Sequence, residues 1–428
     1  MGTVGQPGAV DQVMQILDWI HASEVWVDRD GLNLYAGTNI QSPLVRRAMA
    51  TTLNSRPSLG DPGDKYETGL RFSDEIERSL STLLQQLFEA RYVEYRVLSG
   101  SMANLYAYMA TTEPGDAIFS EPPEAAGHAT HQAYGAAGLY RLDVHPIPHV
   151  PGSHAIDWDA WRREVRRVRP KLLVLGSSLP LRPYELALGR QVADAVGARL
   201  MYDAAHVSGL VAAGFFQAPL AEGVDVVTMS TYKSFGGPAG GLVLTNDAAL
   251  AERIRGIAYP GLTANFDMAR VAGLAVAAME MVEFGRAYAA QSLLNAARLA
   301  EALAGQGLPV WRPAAGEPWT QSHLVALEAA RWGGGTPAAR RAEASNVFFS
   351  GIPLPVAAGP VEFSGIRLGV QEITRWGLGP EHMSVVADFV SRALDNPDGA
   401  AETRRAVAAF RQEFQTVRYA FVAPADGG

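Results

Sequence analysis

Short apolar runs alternate with helical patterns through the central part of the chain. The runs are Tyr95–Leu98, Ala117–Phe119, Leu172–Leu175, Arg199–Tyr202, Val224–Met229 and Gly241–Leu244. Each is short enough for a strand, and the segments between them carry apolar residues at helical spacing. This alternation predicts an α/β fold built on a mostly parallel sheet.

Helical patterns flank this region on both sides. One runs from Asp11 to about Val27, and a strongly amphipathic one covers Asp74–Phe88. Two more, Met268–Tyr288 and Leu293–Leu303, follow the last apolar run. We therefore predict an N-terminal arm (1–35), a large domain (36–265), connecting helices (266–305) and a smaller C-terminal α/β domain (306–428).

The composition excludes several classes of protein. The 428 residues carry a net charge of −8 and include no cysteine. An acidic chain with no long basic run is not expected to bind nucleic acid, and a chain without thiols has no disulfides and no cysteine chemistry. No apolar run reaches the roughly 18 residues that span a bilayer. Residues 1–10 have no cation before an apolar stretch, so we expect a cytoplasmic protein with no membrane partner.

The lysines are few enough to restrict any amine chemistry. They are Lys65, Lys171 and Lys233, and all other cations except histidine are arginines, which do not react as amines near neutral pH. Lys233 follows the run Val224–Met229, and Asp203 stands at the end of another run. A lysine for the aldehyde and a carboxylate for the pyridine nitrogen are the side chains that pyridoxal phosphate requires. Either residue alone would more often be structural.

A phosphate site is predicted where a helical pattern follows the run Tyr95–Leu98. Ser99, Gly100 and Ser101 begin that pattern, and N–H groups and hydroxyls at a helix N-terminus bind phosphate. A helix that is merely capped has the same pattern. Further along, His128 is a candidate to stack on a pyridine ring, although a lone histidine is more often structural.

Four segments stand in a characteristic order along the chain. They are residues 99–104 (SGSMAN), 201–214 (MYDAAHVSGLVAAG), 231–241 (TYKSFGGPAGG) and 364–375 (SGIRLGVQEITR). Together they resemble the serine hydroxymethyltransferase family of fold-type I pyridoxal-phosphate enzymes. The resemblance extends from about residue 32 to residue 395.

The resemblance implies a fold-type I large domain, a smaller C-terminal domain and pyridoxal 5'-phosphate as cofactor. Lys233 would bind the cofactor aldehyde, and Asp203 would pair with the pyridine nitrogen. His128 would stack on the ring, while His206 and Ser178 would lie near its phenolic oxygen. Lys233 and His128 would be the catalytic residues.

The same resemblance implies sites for the phosphate and the substrate. Ser99, Gly100 and Ser101 would hold the cofactor phosphate. Arg367 would bind the α-carboxylate of an amino-acid substrate through a bidentate pair, which suits a planar guanidinium. The family's active site lies between two subunits, so a homodimer with shared active sites is expected.

The chain departs from the family at positions tied to hydroxymethyl chemistry. Pro57 and Leu59 replace a tyrosine and a glutamate that enter the family's active site. A glycine-rich loop has become residues 260–265 (PGLTAN), and Tyr232 replaces the histidine before the lysine. Because leucine cannot move a proton, we expect cofactor and amino-acid binding without folate-dependent hydroxymethyl transfer.

These departures predict a lyase for a non-standard amino acid, using no folate. Either α-deprotonation with β-elimination and C–S cleavage, or decarboxylation with oxidative deamination, is expected, with Lys233 as base. The loss of these family side chains is similar to what is expected of related enzymes that tailor S-glycosyl cysteine conjugates in lincosamide antibiotic biosynthesis. Three alternatives stay open: an aldolase or transaldolase with His128 or water as base, a folate-dependent serine/glycine hydroxymethyltransferase, and a non-enzymatic cofactor-binding protein.

Overall fold

The computed structural model describes residues 8–314, 316–356 and 363–422. Most of the segment used above for the localisation prediction, residues 1–7, lies outside the described residues. The strands are β1 (Leu32–Asn33), β2 (Gly60–Asp61), β3 (Asp64–Lys65), β4 (Tyr92–Val97), β5 (Ala117–Ser120), β6 (Asp143–Pro146), β7 (Leu172–Leu175), β8 (Arg199–Asp203), β9 (Val226–Ser230), β10 (Gly241–Thr245), β11 (Leu324–Glu328), β12 (Val347–Phe348), β13 (Ser350–Ile352) and β14 (Gly365–Gly369).

Helices cover much of the remaining chain. They are α1 (Ala9–Ser23), α2 (Pro43–Met49), α3 (Arg71–Phe88), α4 (Gly100–Thr111), α5 (Ala136–Leu139), α6 (Trp158–Val168), α7 (Leu186–Asp194), α8 (Ser208–Ala212), α9 (Ala248–Gly256), α10 (Met268–Gly305), α11 (Gly335–Glu343), α12 (Gln371–Arg375), α13 (Met383–Asp395) and α14 (Ala400–Arg411). None of the helices in the described ranges is long and apolar enough to cross a membrane.

A seven-stranded sheet forms the centre of the large domain, with strand order β4-β10-β9-β8-β7-β5-β6. Strand β10 runs antiparallel to both its neighbours, and the other pairs are parallel. The prediction of an α/β fold with a mostly parallel sheet is therefore confirmed. The sequence patterns missed the edge strand β6 because its Asp-Val-His-Pro sequence is partly exposed and forms no apolar run.

Both faces of this sheet are covered by apolar side chains. Along β7, Leu173 and Leu175 belong to one buried cluster, whereas Leu172 and Val174 belong to the cluster on the opposite face. This alternation follows from the two-residue period of a strand. A strand buried on both faces has no polar alternation, which is why it appears as a continuous apolar run in the sequence.

The parallel strands end at one edge of the sheet, and the predicted site residues lie there. Asp203 is the last residue of β8, Lys233 follows β9 by three positions, and Ser99 follows β4 by two. Ligands of open α/β sheets bind at this carboxyl edge. The order of strands in the sheet, rather than their order in sequence, brings these residues together.

Helix α10 replaces the two helices predicted for this region. It runs without interruption through Met268–Gly305, because residues 289–292 (AAQS) contain no breaker. Asp267 caps its N-terminus by accepting a hydrogen bond from the Arg270 N–H. Leu274 near its start packs in the core of the large domain, and Leu299 near its end packs in the C-terminal core.

The C-terminal part contains an antiparallel sheet of order β11-β14-β13. Strand β1 pairs in parallel with β12, so Leu32 and Leu34 are buried in this C-terminal core although they precede the large domain in sequence. The division into four parts stays a prediction. Strand β14 carries Arg367 toward the large domain, where its guanidinium donates to the Ser178 carbonyl.

Candidate active site

Lys233 lies in a cleft at the carboxyl edge of the central sheet. The cleft is lined by Ser99, Gly100, Ser101, Asn104, His128, Ser177, Ser178, Asp203, Ala205, His206, Ser230, Tyr232 and Lys233. The other two lysines lie elsewhere: Lys171 is exposed, and Lys65 forms a buried ion pair of 2.7 Å with Glu77. Among the described residues, Lys233 is thus the lysine available for chemistry in this cleft.

Asp203 is held as a carboxylate by three donors. Its Oδ2 accepts hydrogen bonds of 2.9 Å from Asn104 Nδ2 and from His131 Nε2, and its Oδ1 accepts one from the Ala205 N–H. Burial alone would raise the pKa of this carboxyl, but the bonds from His131 and Asn104 hold its pKa well below the ordinary value. A charged carboxylate in this position suits a protonated pyridine nitrogen.

Lys233 and His206 share a short contact, with 3.0 Å between Nζ and Nε2. Burial lowers the pKa of the Lys233 amine to about 8, and nearby Arg367 acts in the same direction. Burial, with both cations adjacent, likewise holds the pKa of His206 well below its ordinary value. Lys233 is therefore partly neutral near pH 8, and a neutral amine is the form that attacks an aldehyde.

Arg367 reaches this cleft from the C-terminal part of the chain. Its Nη1 donates to the Ser178 carbonyl at 2.6 Å and lies 3.3 Å from His206 Nε2, and its Nη2 donates to Ser350 Oγ at 3.3 Å. Its Nε is buried without a hydrogen-bond partner in the described part of the chain. A buried guanidinium with a free donor and no carboxylate among these contacts is suited to a carboxylate ligand.

The hydrogen bonds of His128 determine which of its ring nitrogens carries the proton. Its Nδ1 accepts from the Thr130 N–H at 3.2 Å and lies 2.8 Å from Thr130 Oγ1. A backbone N–H can only donate, so Nδ1 is unprotonated and the proton of the neutral ring is on Nε2. Burial lowers the pKa of His128 to about 4, so the ring is neutral at physiological pH.

The predicted phosphate site has the geometry of a helix N-terminus. Ser99 caps α4 by accepting a hydrogen bond from the Met102 N–H through its side chain. A Cβ at Gly100 would overlap Ser230 Oγ, so a larger residue there would force the Ser230 hydroxyl to move, and glycine lets α4 begin close beside the end of β9. The N–H groups of Gly100 and Ser101 take no part in this cap, and they can bind a phosphate in the cleft that holds Lys233.

The donor set of the cleft fits pyridoxal phosphate. It combines an amine, a carboxylate held in its charged form and a small-residue helix N-terminus. In addition, Nδ1 of His206 is buried and without a partner in the described residues. Every residue predicted to contact the cofactor lines this cleft, and Arg367 contacts two of them.

Several residues around Asp203 had no role in the sequence analysis. Asn104 is the last residue of the segment 99–104, His131 stands three positions after His128, and both donate directly to Asp203. Thr228 donates to Asn104 Oδ1 at 2.6 Å and orients its amide. The helical spacing of Gly100 and Asn104 offered a signal for Asn104, because it places both on one face of α4.

The segment that departs from the family is held away from the cleft of its own chain. The Lys65 amine donates to Glu77, to the Gly60 carbonyl and to the Ser58 carbonyl. None of residues 57–69 lines the cleft of Lys233.

Among the described residues, no group of three or more His, Asp or Glu side chains could hold a metal ion.

Comparison with known proteins identifies relatives across nearly the whole chain. The chain is 49% identical over 379 residues to an alpha-methylserine aldolase of Variovorax paradoxus, covering 88% of this chain and 86% of that protein. An alpha-methylserine aldolase of Ralstonia sp is 41% identical over 406 residues, 94% and 92% of the two chains. A serine hydroxymethyltransferase of Pyrobaculum neutrophilum is 37% identical over 408 residues, which cover 95% of this chain and 94% of that protein.

The family assignment confirms the predicted fold and cofactor. Residues 10–390 match the serine hydroxymethyltransferase family, whose members are fold-type I enzymes that use pyridoxal phosphate. The matched span includes the central sheet, α10 and the strand that carries Arg367. The chain belongs to the serine hydroxymethyltransferase family of pyridoxal-phosphate-dependent enzymes.

Proposed function

We propose that the protein is an aldolase that cleaves the Cα–Cβ bond of a β-hydroxy amino acid with a second carbon substituent on Cα, such as α-methylserine, without folate. The observation that carries this proposal is the 49% identity to a protein named alpha-methylserine aldolase. These relatives lend no support to C–S cleavage or decarboxylation of S-glycosyl cysteine conjugates, or to a role in antibiotic biosynthesis. The aldolase alternative takes the place of that prediction.

The proposed reaction moves a single proton. In α-methylserine the Cα–Cβ bond breaks with its electron pair left on Cα, the β-hydroxyl loses a proton as its carbonyl forms, and Cα gains a proton. The products are formaldehyde and alanine. When bound, pyridoxal phosphate supplies an electron sink for the pair left on Cα. The protein must therefore bind the amino acid and carry one proton from the β-oxygen to Cα.

The cleft supports a division of these tasks. Arg367, with its unpartnered Nε, binds the α-carboxylate. Asp203 pairs with the pyridine nitrogen, and the first turn of α4, with Ser99, Gly100 and Ser101, binds the phosphate. His206 and Ser178 would lie near the phenolic oxygen of the bound cofactor, and His128 would stack on its ring.

The tautomers favour Lys233 as the group that moves the proton. The Nδ1 of His128 accepts from Thr130 and its Nε2 carries the proton, so a neutral His128 has no free nitrogen to accept another. Asp203 is the single carboxylate lining the described cleft, and it is committed to three donors. Burial lowers the pKa of Lys233 to about 8, so part of this amine is neutral near that pH. The neutral amine accepts the proton of the β-hydroxyl and returns it to Cα.

We also propose that two copies of the chain associate and share their active sites. The helix α1 buries none of its side chains, and its large apolar residues Val10, Val13, Met14, Ile16, Leu17, Trp19 and Ile20 are all exposed. An exposed apolar face of this size supports a protein interface. Leu17→Glu should lower the mass measured by analytical ultracentrifugation, whereas Gln15→Glu, with the same added charge on the same helix, should not.

The function is tested by incubating the holoenzyme separately with each enantiomer of α-methylserine, in the absence of folate. We expect formaldehyde and alanine in equal amounts from one enantiomer. Serine, threonine and S-methyl cysteine serve as comparison substrates, assayed for glycine, aldehyde, pyruvate and CO2. Pyruvate or CO2 from S-methyl cysteine at a higher rate would restore the lyase prediction, and cleavage that requires tetrahydrofolate would restore the hydroxymethyltransferase.

A further inference from the structure

A buried chain of hydrogen bonds runs from Asp203 away from the cleft. Nε2 of His131 lies 2.9 Å from Asp203 Oδ2, and Nδ1 of the same ring bonds the Tyr108 hydroxyl on helix α4. Both His131 and Tyr108 are fully buried. Neither lines the cleft of Lys233, so neither is placed to touch a substrate.

The protons in this series of hydrogen bonds, from Asp203 through His131 to Tyr108, have one consistent arrangement. Asp203 is a carboxylate and only accepts, so His131 Nε2 carries a proton. If Nδ1 were also protonated, the hydrogen of the Tyr108 hydroxyl would have no acceptor among its contacts in the described residues. Burial raises the pKa of Tyr108 well above its ordinary value, so its hydroxyl keeps that hydrogen and donates it to Nδ1.

We propose that Tyr108 and His131 are positioning residues that set the tautomer and orientation of the donor to Asp203, and thereby strengthen its hold on the pyridine nitrogen of the cofactor. Without the Tyr108 hydroxyl, Nδ1 is left without a donor and the ring can protonate there instead. His131 Nε2 would then carry no proton, and it could not donate a hydrogen bond to the Asp203 carboxylate. This inference rests on the proposed role of Asp203 but not on the identity of the substrate.

The test compares two substitutions with a matched control. Tyr108→Phe removes the hydroxyl, and His131→Asn removes the ring. Tyr106→Phe is the control because Tyr106 lies on the same helix and is equally buried, but its hydroxyl contacts Thr263 Oγ1 and the Arg96 carbonyl instead. Each variant, as stripped apoprotein, is titrated with pyridoxal phosphate and with the analogue in which carbon replaces the ring nitrogen.

We expect Tyr108→Phe and His131→Asn to weaken binding of pyridoxal phosphate by roughly 10-fold to 100-fold, the range for hydrogen bonds to a charged group. Affinity for the carbon analogue should stay unchanged, since it has no ring nitrogen to pair with Asp203. Tyr106→Phe should change neither affinity. Equal weakening of both ligands would show a merely structural role and overturn the proposal, as would unchanged binding of both.

Two further measurements separate this proposal from its premise. The ¹⁵N shifts of His131 in the apoprotein report its tautomer directly, and they should move in Tyr108→Phe but not in Tyr106→Phe. Unmoved shifts would overturn the proposal even if the variants bound cofactor poorly. Asp203→Asn should abolish the preference for pyridoxal phosphate over its analogue; if the preference persists, the assignment of Asp203 itself is wrong.

Discussion

Nζ of Lys233 lies 3.0 Å from Nε2 of His206. Arg367 Nη1 is 3.3 Å from the same nitrogen, and because a guanidinium only donates, that nitrogen is the acceptor for both cations. His206 is thus a neutral base between two positive groups. Burial of the amine, with Arg367 close by, lowers the pKa of Lys233 to about 8.

The rate at which the apoprotein captures pyridoxal phosphate should follow the neutral fraction of Lys233. That fraction increases with pH, so the rate should rise with a midpoint near pH 8 rather than the ordinary lysine value of 10.5. Stopped-flow absorbance across the pH range measures it. A midpoint above 10 would show that the amine is not desolvated in solution.

Borohydride reduction of the holoenzyme should leave the cofactor covalently attached to Lys233. Peptide mapping identifies the modified residue. Lys171→Arg is the control, because Lys171 is exposed and the substitution should leave the labelling unchanged. Label on Lys65 or Lys171 in the native protein would contradict the assignment, since Lys65 is committed to Glu77.

Arg367→Ala should weaken amino-acid binding while the cofactor stays bound. The loss of a buried partner for a carboxylate costs roughly 2–5 kcal/mol. Spectral titration of the holoenzyme with alanine measures it, and exposed Arg71→Ala is the control. Unchanged affinity in Arg367→Ala would point to another cation such as Arg71, because Arg375 is paired with buried Glu280 at 3.0 Å.

Tetrahydrofolate should not accelerate exchange of the α-proton of glycine. The resemblance to the family places Pro57 and Leu59 where a tyrosine and a glutamate would lie at the hydroxymethyl group, and residues 262–265 where the family has a glycine-rich loop. Deuterium exchange followed by NMR, with and without the folate, is the measurement. Formation of methylenetetrahydrofolate from serine at roughly 1–10³ s⁻¹, the ordinary enzymatic range, would refute this prediction.

Glu372 should make the free energy of unfolding depend on pH. Burial and the neighbouring Asp28 raise its pKa from 4.5 to about 7, although Asn33 and Arg411 oppose the shift. The folded state therefore binds the proton more tightly, and the stability from this group is present below pH 4.5 and lost as pH rises to 7. The loss is roughly 3 kcal/mol.

Urea unfolding of the wild type and Glu372→Gln between pH 4.5 and 7.5 measures this contribution. The difference in unfolding free energy between them should change with pH up to about 7 and then level off. Glu328→Gln, at an exposed position, should show no such change. A difference that is constant with pH would show that Glu372 titrates normally.

The sequence alone determined the fold class and predicted two central residues of the candidate site. Strands buried on both faces leave continuous apolar runs, so β7 was predicted with its observed bounds, and Asp203 and Lys233 were located at strand ends. The uninterrupted α10 and the polar edge strand β6 escaped prediction. Helix α10 continues because residues 289–292 contain no breaker, whereas β6 forms by pairing with β5 despite its polar sequence.

Only the tertiary structure decided which groups touch and which nitrogens carry protons. His131 is 72 positions from Asp203, and Arg367 is 161 from His206, so no spacing rule relates these residues. Proton positions and pKa shifts depend on burial and on donors a few ångströms away, and the fold supplies both from separate segments. A local sequence motif can identify such a residue, but it does not show which partners determine the chemistry of that residue.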